Sequence, residues 1–350
     1  MTPTLPACPR CFRSPVRAGA RFCPRCGLAD VARAAVDRAP VDVPVGGRVF
    51  RVLDRVAVGS VSAVYRCRFY DGPAEVEGVL KVARDARAND LLANEAATLR
   101  RLFAADPDHR FKPFLPFPEA TFGMAGDDPS AADDRGGGPP RPTVPRQATV
   151  FRVHPEIRSP ADELYTLADV RAAYLAGLDP RHAAWVWRRV LTVLGFAHAT
   201  GVVHGAVLPP HVLVEPHGHR VVLVGWGCAA PAFGGRGVRA MAGSYNAWYR
   251  RERSAQGAPA RDPGLFPLPS LDVALAARSM VELMGGDPLN LSVPATVDPA
   301  IARYFQRCAG FGPNARPDAG RLLADFDGLI HALWGPRQFV PLALPPKRRA

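Results

Sequence analysis

The first half of the chain alternates apolar and polar residues in the manner of β-strands. From Arg48 onward, the segments RVFRVLDRVAVGSVSAVYRCRFY (48–70) and VEGVLKVAR (76–84) are rich in valine and are bounded by Gly, Pro and Asp. A further strand is predicted at ATVFRVH (148–154). The pattern therefore predicts a β-rich region that begins at residue 48.

Helical spacing replaces this alternation in DLLANEAATLRRLFAAD (90–106). Four apolar residues share one face of that helix: Leu92, Ala96, Leu99 and Leu102. From about Thr166 the chain becomes mostly helical, and PRHAAWVWRRVLTVLGFAHATG (180–201) carries apolar residues around most of its circumference, as a central buried helix does. Strands followed by helices predict an α+β fold or two lobes.

Three segments lack the side chains that would build a core. Residues 29–47 contain Pro40 and Pro44 and few large apolar side chains, so they are predicted to be a linker. Residues 123–147 are polar and rich in Gly and Pro, which favours a disordered surface insertion. The chain ends in PPKRRA, and residues 336–350 are predicted to form a basic tail.

Composition and charge narrow the cellular setting. The 350 residues are 48% hydrophobic and 22% charged, which is typical of a globular protein. The sequence has no run of about 18 apolar residues and no apolar segment at its N-terminus, so we expect a cytoplasmic protein without a membrane partner. The net charge of +12 comes from scattered arginines. We therefore interpret it as a compositional bias rather than a nucleic-acid surface.

Four of the seven cysteines form two C-x-x-C pairs within residues 1–28: Cys8, Cys11, Cys23 and Cys26. Thiolates at this spacing can reach one tetrahedral zinc, and four protein ligands leave no open position for catalysis. A disulfide pair or a redox site is disfavoured in a reducing compartment. The segment resembles the small zinc ribbons of many prokaryotic regulatory proteins, and it predicts one structural zinc. The remaining Cys67, Cys228 and Cys308 are expected to be buried free thiols.

The stretch VVHGAVLPPHVLV (202–214) resembles the catalytic loop of Ser/Thr protein kinases, whose pattern is HRDLKPEN. His204 is retained. Ala206 stands at the position of the catalytic aspartate, and His211 stands at the position of the metal-binding asparagine. The resemblance therefore implies a catalytic loop without its catalytic side chains.

A second kinase motif, the DFG segment, is replaced by VVLVGWG (221–227). Gly225 occupies the position of the metal-binding aspartate, while Trp226 preserves the bulky residue that follows it. Phosphoryl transfer needs magnesium held by carboxylate and amide oxygens, together with a base near the acceptor hydroxyl. Both metal ligands and the base are missing together, so the resemblance implies an inactive kinase.

The nucleotide-binding positions are only partly kept. In AVGSVSAV (57–64), Gly59 is the single glycine left of the three in a kinase glycine-rich loop. Lys81 matches the strand lysine that contacts nucleotide phosphates, and Glu95 matches its partner on the following helix. Val79 stands where kinases usually carry alanine, and its extra methyl groups narrow the adenine pocket. We expect ATP binding to be weak or absent.

The positions that hold a kinase fold together survive better. Glu252 matches the glutamate that ends the activation segment, Arg316 matches its arginine partner, and Asp272 matches the aspartate that anchors the catalytic loop. The stacked side chains that link the two lobes of a kinase also have matches: Leu99, His204 and Trp226. Across 48–335 the resemblance implies a bilobal fold, with a β-rich N-lobe and a helical C-lobe.

EPHGHR (215–220) contains two histidines close to other histidines and Cys228. We interpret it as the exposed tip of a hairpin, with Gly218 supplying the turn, rather than as a second metal site.

Three functions follow, and the leading one is a pseudokinase that acts as a scaffold or regulator of another protein. A divergent Ser/Thr protein kinase that binds ATP is the alternative. The third is a nucleic-acid-binding module built from the zinc ribbon, for which strongly salt-dependent DNA or RNA binding would be the sign.

Overall fold

The computed structural model describes residues 41–124, 144–152, 164–234, 237–239, 243–257, 264–310, 312 and 316–345. They form a mixed α+β fold that divides into two compact units. We call the first the sheet unit; its described residues are 41–93, 118–124 and 144–152. The second, the helical unit, comprises residues 94–117 and the described residues from 164 to 345. The predicted α+β class is confirmed.

The sheet unit is built on one sheet of six strands in the order β1-β2-β3-β4-β6-β5. Its strands are β1 (Val41–Val45), β2 (Arg48–Val58), β3 (Ser62–Asp71), β4 (Ala74–Ala83), β5 (Phe117–Met124) and β6 (Arg146–Arg152). The β1/β2, β2/β3, β3/β4 and β4/β6 pairs are antiparallel. The strands predicted from the valine-rich segments are confirmed.

One face of this sheet is apolar, as the period-two alternation of its strands requires. Its buried residues are Phe50, Cys67, Phe69, Leu80, Val82, Ala148 and Val150. The rings of Phe50 and Phe69 lie 5.2 Å apart between their centroids. Cys67 is a buried thiol, as predicted, and burial raises its pKa to about 12, which disfavours the reactive thiolate.

The predicted linker is wrong at its C-terminal end, because residues 41–45 form an edge strand. Val43 pairs with Phe50, and the two glycines between the strands, Gly46 (φ 54°) and Gly47 (φ 78°), both adopt positive φ. A two-residue turn with positive φ at both positions matches the twist of a hairpin, and Gly-Gly is its sequence signal. Pro44 is tolerated because β1 lies at the edge of the sheet.

The described residues contain seven α-helices: α1 (Asn89–Ala104), α2 (Leu167–Ala173), α3 (Pro180–Ala199), α4 (Asn246–Ala255), α5 (Pro269–Leu283), α6 (Pro299–Ala309) and α7 (Ala319–Trp334). Local sequence sets several of their starts. Asp179 accepts a hydrogen bond from the Arg181 N–H, and Pro180 occupies the first turn, where its missing N–H costs nothing. Asp298 and Pro299 repeat this arrangement at α6.

The core of the helical unit lies around α3 and α5. Twelve of the fifteen residues of α5 are buried, and α3 packs against both α5 and α7. Trp187 of α3 is fully buried, and its indole N–H donates to the Tyr304 hydroxyl at 3.0 Å. The prediction that α3 is a central buried helix is confirmed.

Seven short strands complete the described part of the helical unit: β7 (Tyr165–Thr166), β8 (Val202–Val203), β9 (Val212–Glu215), β10 (Arg220–Leu223), β11 (Ala230–Pro231), β12 (Val238–Arg239) and β13 (Gly264–Leu265). The predicted hairpin at 215–220 is present between β9 and β10. Its details differ from the prediction, because the positive φ falls on His219 (φ 50°) rather than on Gly218. The His219 ring is also partly covered, since it stacks between Trp185 and Phe339.

The tail predicted at 336–350 is wrong over its described part. Residues 336–345 lie on the helical unit, where Leu342 is 5% exposed. The Val340 carbonyl lies 2.9 Å from His219 Nε2, and the Tyr165 hydroxyl donates to the Pro345 carbonyl at 3.1 Å. The segment 336–345 is thus held by side-chain hydrogen bonds to its backbone carbonyls and by one buried leucine, although its composition predicts a tail.

The insertion predicted at 123–147 is shorter at both ends, since β5 runs to Met124 and β6 begins at Arg146. Residues 125–143 lie outside the described part of the chain, as do residues 1–40 and 346–350. In the part that the structure describes, every α-helix is too short or too polar to cross a membrane.

Candidate functional site

The loop after β8 is fixed by one buried carboxylate, Asp272, near the start of α5. Asp272 is fully buried and accepts hydrogen bonds from the backbone N–H groups of His204 and Gly205, both at 2.7 Å. His198 Nε2 lies 2.9 Å from the same carboxylate. Buried backbone N–H groups need partners, so Asp272 sets the path of the loop. This is the anchoring role that the sequence predicts for it.

Gly205 is required at this point for steric reasons. Its φ is 75°, and a β-carbon there would lie 2.5 Å from Val238 Cγ1 and 2.8 Å from the Cys228 carbonyl oxygen. The Gly205 carbonyl in turn accepts a hydrogen bond from the Tyr249 hydroxyl at 2.9 Å. The loop is therefore tied to α4 as well as to α5.

The ring of His204 is held in one orientation. Its Nδ1 accepts the Ala206 N–H at 3.1 Å, so Nε2 carries the proton and donates it to the Val224 carbonyl at 3.0 Å. The ring packs edge-on against fully buried Trp226, with 4.4 Å between centroids. Both ring nitrogens thus serve the backbone, and His204 acts as a structural residue.

Position 225 has no room for a side chain. Gly225 adopts φ 84°, and a β-carbon there would lie 2.7 Å from Cγ and 2.8 Å from Cδ2 of His211. The His211 ring is fixed over this glycine, because its Nδ1 donates to the carbonyl of fully buried Ala206 at 2.7 Å. The positions assigned to the base and to both metal ligands thus form one packed cluster, Ala206, His211 and Gly225.

Two side chains of helix α1 hold the backbone of residues 225–229. The buried carboxylate of Glu95 accepts the Gly225 N–H at 3.1 Å. The Asn94 side-chain amide donates to the carbonyls of Gly227 at 3.0 Å and Ala229 at 2.9 Å. The predicted face of α1 is buried, including Leu99 at 0% exposure. Glu95 therefore accepts a hydrogen bond from a backbone amide, and its predicted pairing with Lys81 is a separate question.

The predicted nucleotide residues Lys81 and Gly59 belong to the sheet unit. Lys81 lies on β4 between Val64 and Thr149 of the neighbouring strands. The N–H of Gly59 donates to the Ser62 carbonyl at 2.8 Å, closing the turn between β2 and β3. An amide in such a bond is not presented to a phosphate. An ion pair of Lys81 with Glu95 would join the two units and stays a prediction.

The ion pair predicted between Glu252 and Arg316 is confirmed, and it is buried. One Glu252 oxygen lies 2.6 Å from Arg316, and both side chains are 1% exposed. The other oxygen lies 3.0 Å from Arg278, a residue of α5 that has no counterpart among the predicted site residues. Burial lowers the pKa of Arg278, while Glu252 raises it again. One carboxylate thus neutralises part of the charge of two buried guanidinium groups.

The four predicted zinc ligands, Cys8, Cys11, Cys23 and Cys26, lie outside the described residues. Within the described ranges, no three His, Cys, Asp or Glu side chains come together as a metal site would require. The remaining cysteines, Cys67, Cys228 and Cys308, are buried thiols that form no disulfide among the described residues, as predicted.

The contact of His211 with Gly225 can be tested by substitution. Gly225→Ala is expected to lower the free energy of unfolding by about 1–3 kcal/mol, because it strains a positive-φ backbone and overlaps the imidazole. In a His211→Ala background the overlap disappears and the loss should be smaller, a non-additive result in urea denaturation.

Gly257→Ala is the matched control for this cycle, because Gly257 has φ 68° but nothing within 4 Å of the place that a β-carbon would take. It isolates the backbone strain from the overlap. A Gly225→Ala loss equal to that of Gly257→Ala, and unchanged by His211→Ala, would contradict the packing described above.

Comparison with known proteins adds no relative to this geometry. No protein-family model matches the chain, and no curated protein sequence matches it.

Proposed function

We propose that the chain is a pseudokinase, a catalytically inactive protein-kinase-like protein that serves as a scaffold or regulator of another protein. In this proposal the sheet unit corresponds to the N-lobe and the helical unit to the C-lobe of a bilobal kinase-like fold. The order of elements along the chain supports this proposal. Helix α1 follows β4, the fourth strand of the sheet, and the loop at 204–211 and the β9–β10 hairpin lie between α3 and α4 of the helical unit.

The observation that carries the proposal is the packing of His211 on Gly225. Magnesium chemistry at this loop would need a carboxylate at position 225, yet a single β-carbon there would overlap the His211 ring. The ring itself is engaged with the Ala206 carbonyl. The His211 ring thus occupies the space that a side chain at position 225 would need, which favours loss of phosphoryl transfer over a simple exchange of metal ligands.

The buried charged groups of the helical unit that the resemblance singles out all have partners, and this supports a role that needs the fold without the chemistry. Asp272 binds the loop through two backbone amides, and Glu252 joins Arg278 and Arg316 in the interior. Buried charged groups are costly unless they are paired. A protein that presents a surface to a partner still depends on such a framework.

Catalytic inactivity has a direct test. Purified protein is expected to transfer no radiolabelled phosphate from ATP to itself or to generic protein substrates. Millimolar ATP with magnesium should also raise the melting temperature no more than ATP alone, because a ligand stabilises a protein only through its affinity for the folded state. Phosphate transfer that disappears in Lys81→Met protein would overturn the proposal in favour of a divergent kinase.

The zinc ribbon is the second part of the proposal. The reduced protein is expected to contain about one zinc, bound by Cys8, Cys11, Cys23 and Cys26. Cys23→Ser should release the metal and unfold the ribbon, since binding and folding are coupled in such sites. The melting transition of the rest of the chain should stay unchanged. Metal analysis that finds no zinc in wild-type protein would contradict this.

A further inference from the structure

A cavity of about 720 Å³ lies within the helical unit, away from the loop at 204–211. Its walls come from the first half of α3, the last two turns of α7, the β9–β10 hairpin tip and residues 335–340. Drug-sized ligands occupy cavities of roughly 300–1,000 Å³. The cavity therefore has the volume of a small-molecule site. One of its walls is formed by residues 335–340, most of which belong to the segment that the sequence predicts to be a basic tail.

The charge of this cavity is unbalanced. Four arginines line it, Arg181, Arg188, Arg189 and Arg337, against one carboxylate, Asp327. Asp327 is already shared, since it lies 2.5 Å from Arg188 and 2.6 Å from Arg337. Arg181 and Arg189 have no carboxylate at ion-pair distance among the described residues.

The excess of positive charge in the cavity affects the pKa of Arg189. Burial lowers the pKa of Arg189, and the nearby charges of Arg188 and Arg337 lower it further. An anion placed among these guanidinium groups would relieve that repulsion. Guanidinium groups bind phosphate and carboxylate through paired, charge-assisted hydrogen bonds, so the chemistry of the wall fits such a group.

Aromatic rings form another part of the wall. Trp185, His219 and Phe339 stack in that order, with centroid distances of 4.3 and 4.1 Å. Phe339 nevertheless stays 61% exposed, and Trp334 also lines the cavity. Burial lowers the pKa of His219, which favours its neutral, stacking form. Planar rings bind stacked against such surfaces, whereas an inorganic ion gains nothing from them.

We propose that this cavity binds a small organic anion that carries a planar ring, of the chemical class of a nucleoside monophosphate or an aromatic phosphate. The ring stacks on the exposed side chain of Phe339, and the anionic group binds Arg189 and Arg181. The site lies wholly within the helical unit and uses none of the pseudokinase positions. It therefore stands or falls independently of the function proposed above.

Isothermal titration calorimetry on the full chain tests this with four probes: AMP, O-phosphotyrosine, inorganic phosphate and adenosine. AMP or O-phosphotyrosine is expected to bind at least about tenfold more tightly than phosphate or adenosine alone, since each fragment lacks one half of the contacts. Quenching of Trp185 and Trp334 fluorescence should accompany binding. Failure of both ring-bearing anions to bind, or equal binding of inorganic phosphate, overturns the proposal.

Variants locate the bound probe. Arg189→Gln is expected to weaken binding about tenfold or more, because it removes a charge-assisted contact. Arg303→Gln, an exposed arginine of α6, should leave the affinity unchanged. Lys81→Met should also leave it unchanged. Binding that is lost in Lys81→Met but kept in Arg189→Gln would place the ligand at the nucleotide position of the sheet unit and overturn the assignment, provided that both variants melt like wild type.

Discussion

Replacing Glu252 with alanine is expected to lower the free energy of unfolding by about 3–5 kcal/mol, because it leaves buried charge without a partner. The Glu252 carboxylate lies 2.6 Å from Arg316 and 3.0 Å from Arg278, and all three side chains are at most 4% exposed. Both guanidinium groups keep hydrogen bonds to carbonyls, Arg316 to Ala309 and Arg278 to Pro288. Those dipoles do not replace a negative charge.

Urea denaturation measures this loss, with Glu75→Ala as the control. Glu75 is exposed and lies 3.5 Å from a similarly exposed arginine, an arrangement worth little. Glu252→Gln should fall between the two, since the amide oxygen still accepts a hydrogen bond but carries no charge. Equal midpoints for Glu252→Ala and Glu75→Ala would mean that the buried cluster contributes nothing to stability.

The sequence predicts this cluster only in part. Glu252 and Arg316 follow from their places in the motif pattern, whereas Arg278 has no place in it. A signal for Arg278 does exist, because it is the one basic residue in the apolar helix PSLDVALAARSMVEL of α5. A charge on a helix that is buried on all sides needs a partner, so its position indicates an internal ion pair.

Long-range packing marks the limit of what the sequence pattern predicts. The resemblance to a kinase loop singles out Ala206, His211 and Gly225, but their spacing does not show that the His211 ring covers Gly225. That contact depends on how the β9–β10 hairpin returns the chain to the loop. The hairpin of β1 and β2 was predictable from Gly46 and Gly47, which form its turn.

The docked segment at 336–345 was harder to predict. Its only strong apolar signals are in FVPLALP (339–345), interrupted by two prolines, and such a segment has no helix or strand period. Its attachment depends on His219 and Tyr165, far away in sequence, whose side chains bind its carbonyls. Pairings of this kind are tertiary and leave no local pattern.

Asp272→Ala is expected to have the other large effect, because the carboxylate is the partner of two buried backbone amides. The N–H groups of His204 and Gly205 each donate to it at 2.7 Å, and His198 Nε2 lies 2.9 Å away. Each buried donor left without an acceptor costs about 1–3 kcal/mol. Water cannot easily replace the carboxylate, since this site has 0% exposure.

The loss should appear in urea denaturation and, more specifically, in amide hydrogen exchange. The His204 and Gly205 amides are expected to exchange faster in Asp272→Ala protein, because the loop they fix opens more often. Asp108→Ala, at an exposed position of the helical unit, should change neither measurement. Asp272→Asn keeps one acceptor oxygen and should give an intermediate loss. If the His204 and Gly205 amides stay protected in Asp272→Ala protein, the Asp272 carboxylate does not hold the loop, and other contacts must fix the cluster of Ala206, His211 and Gly225.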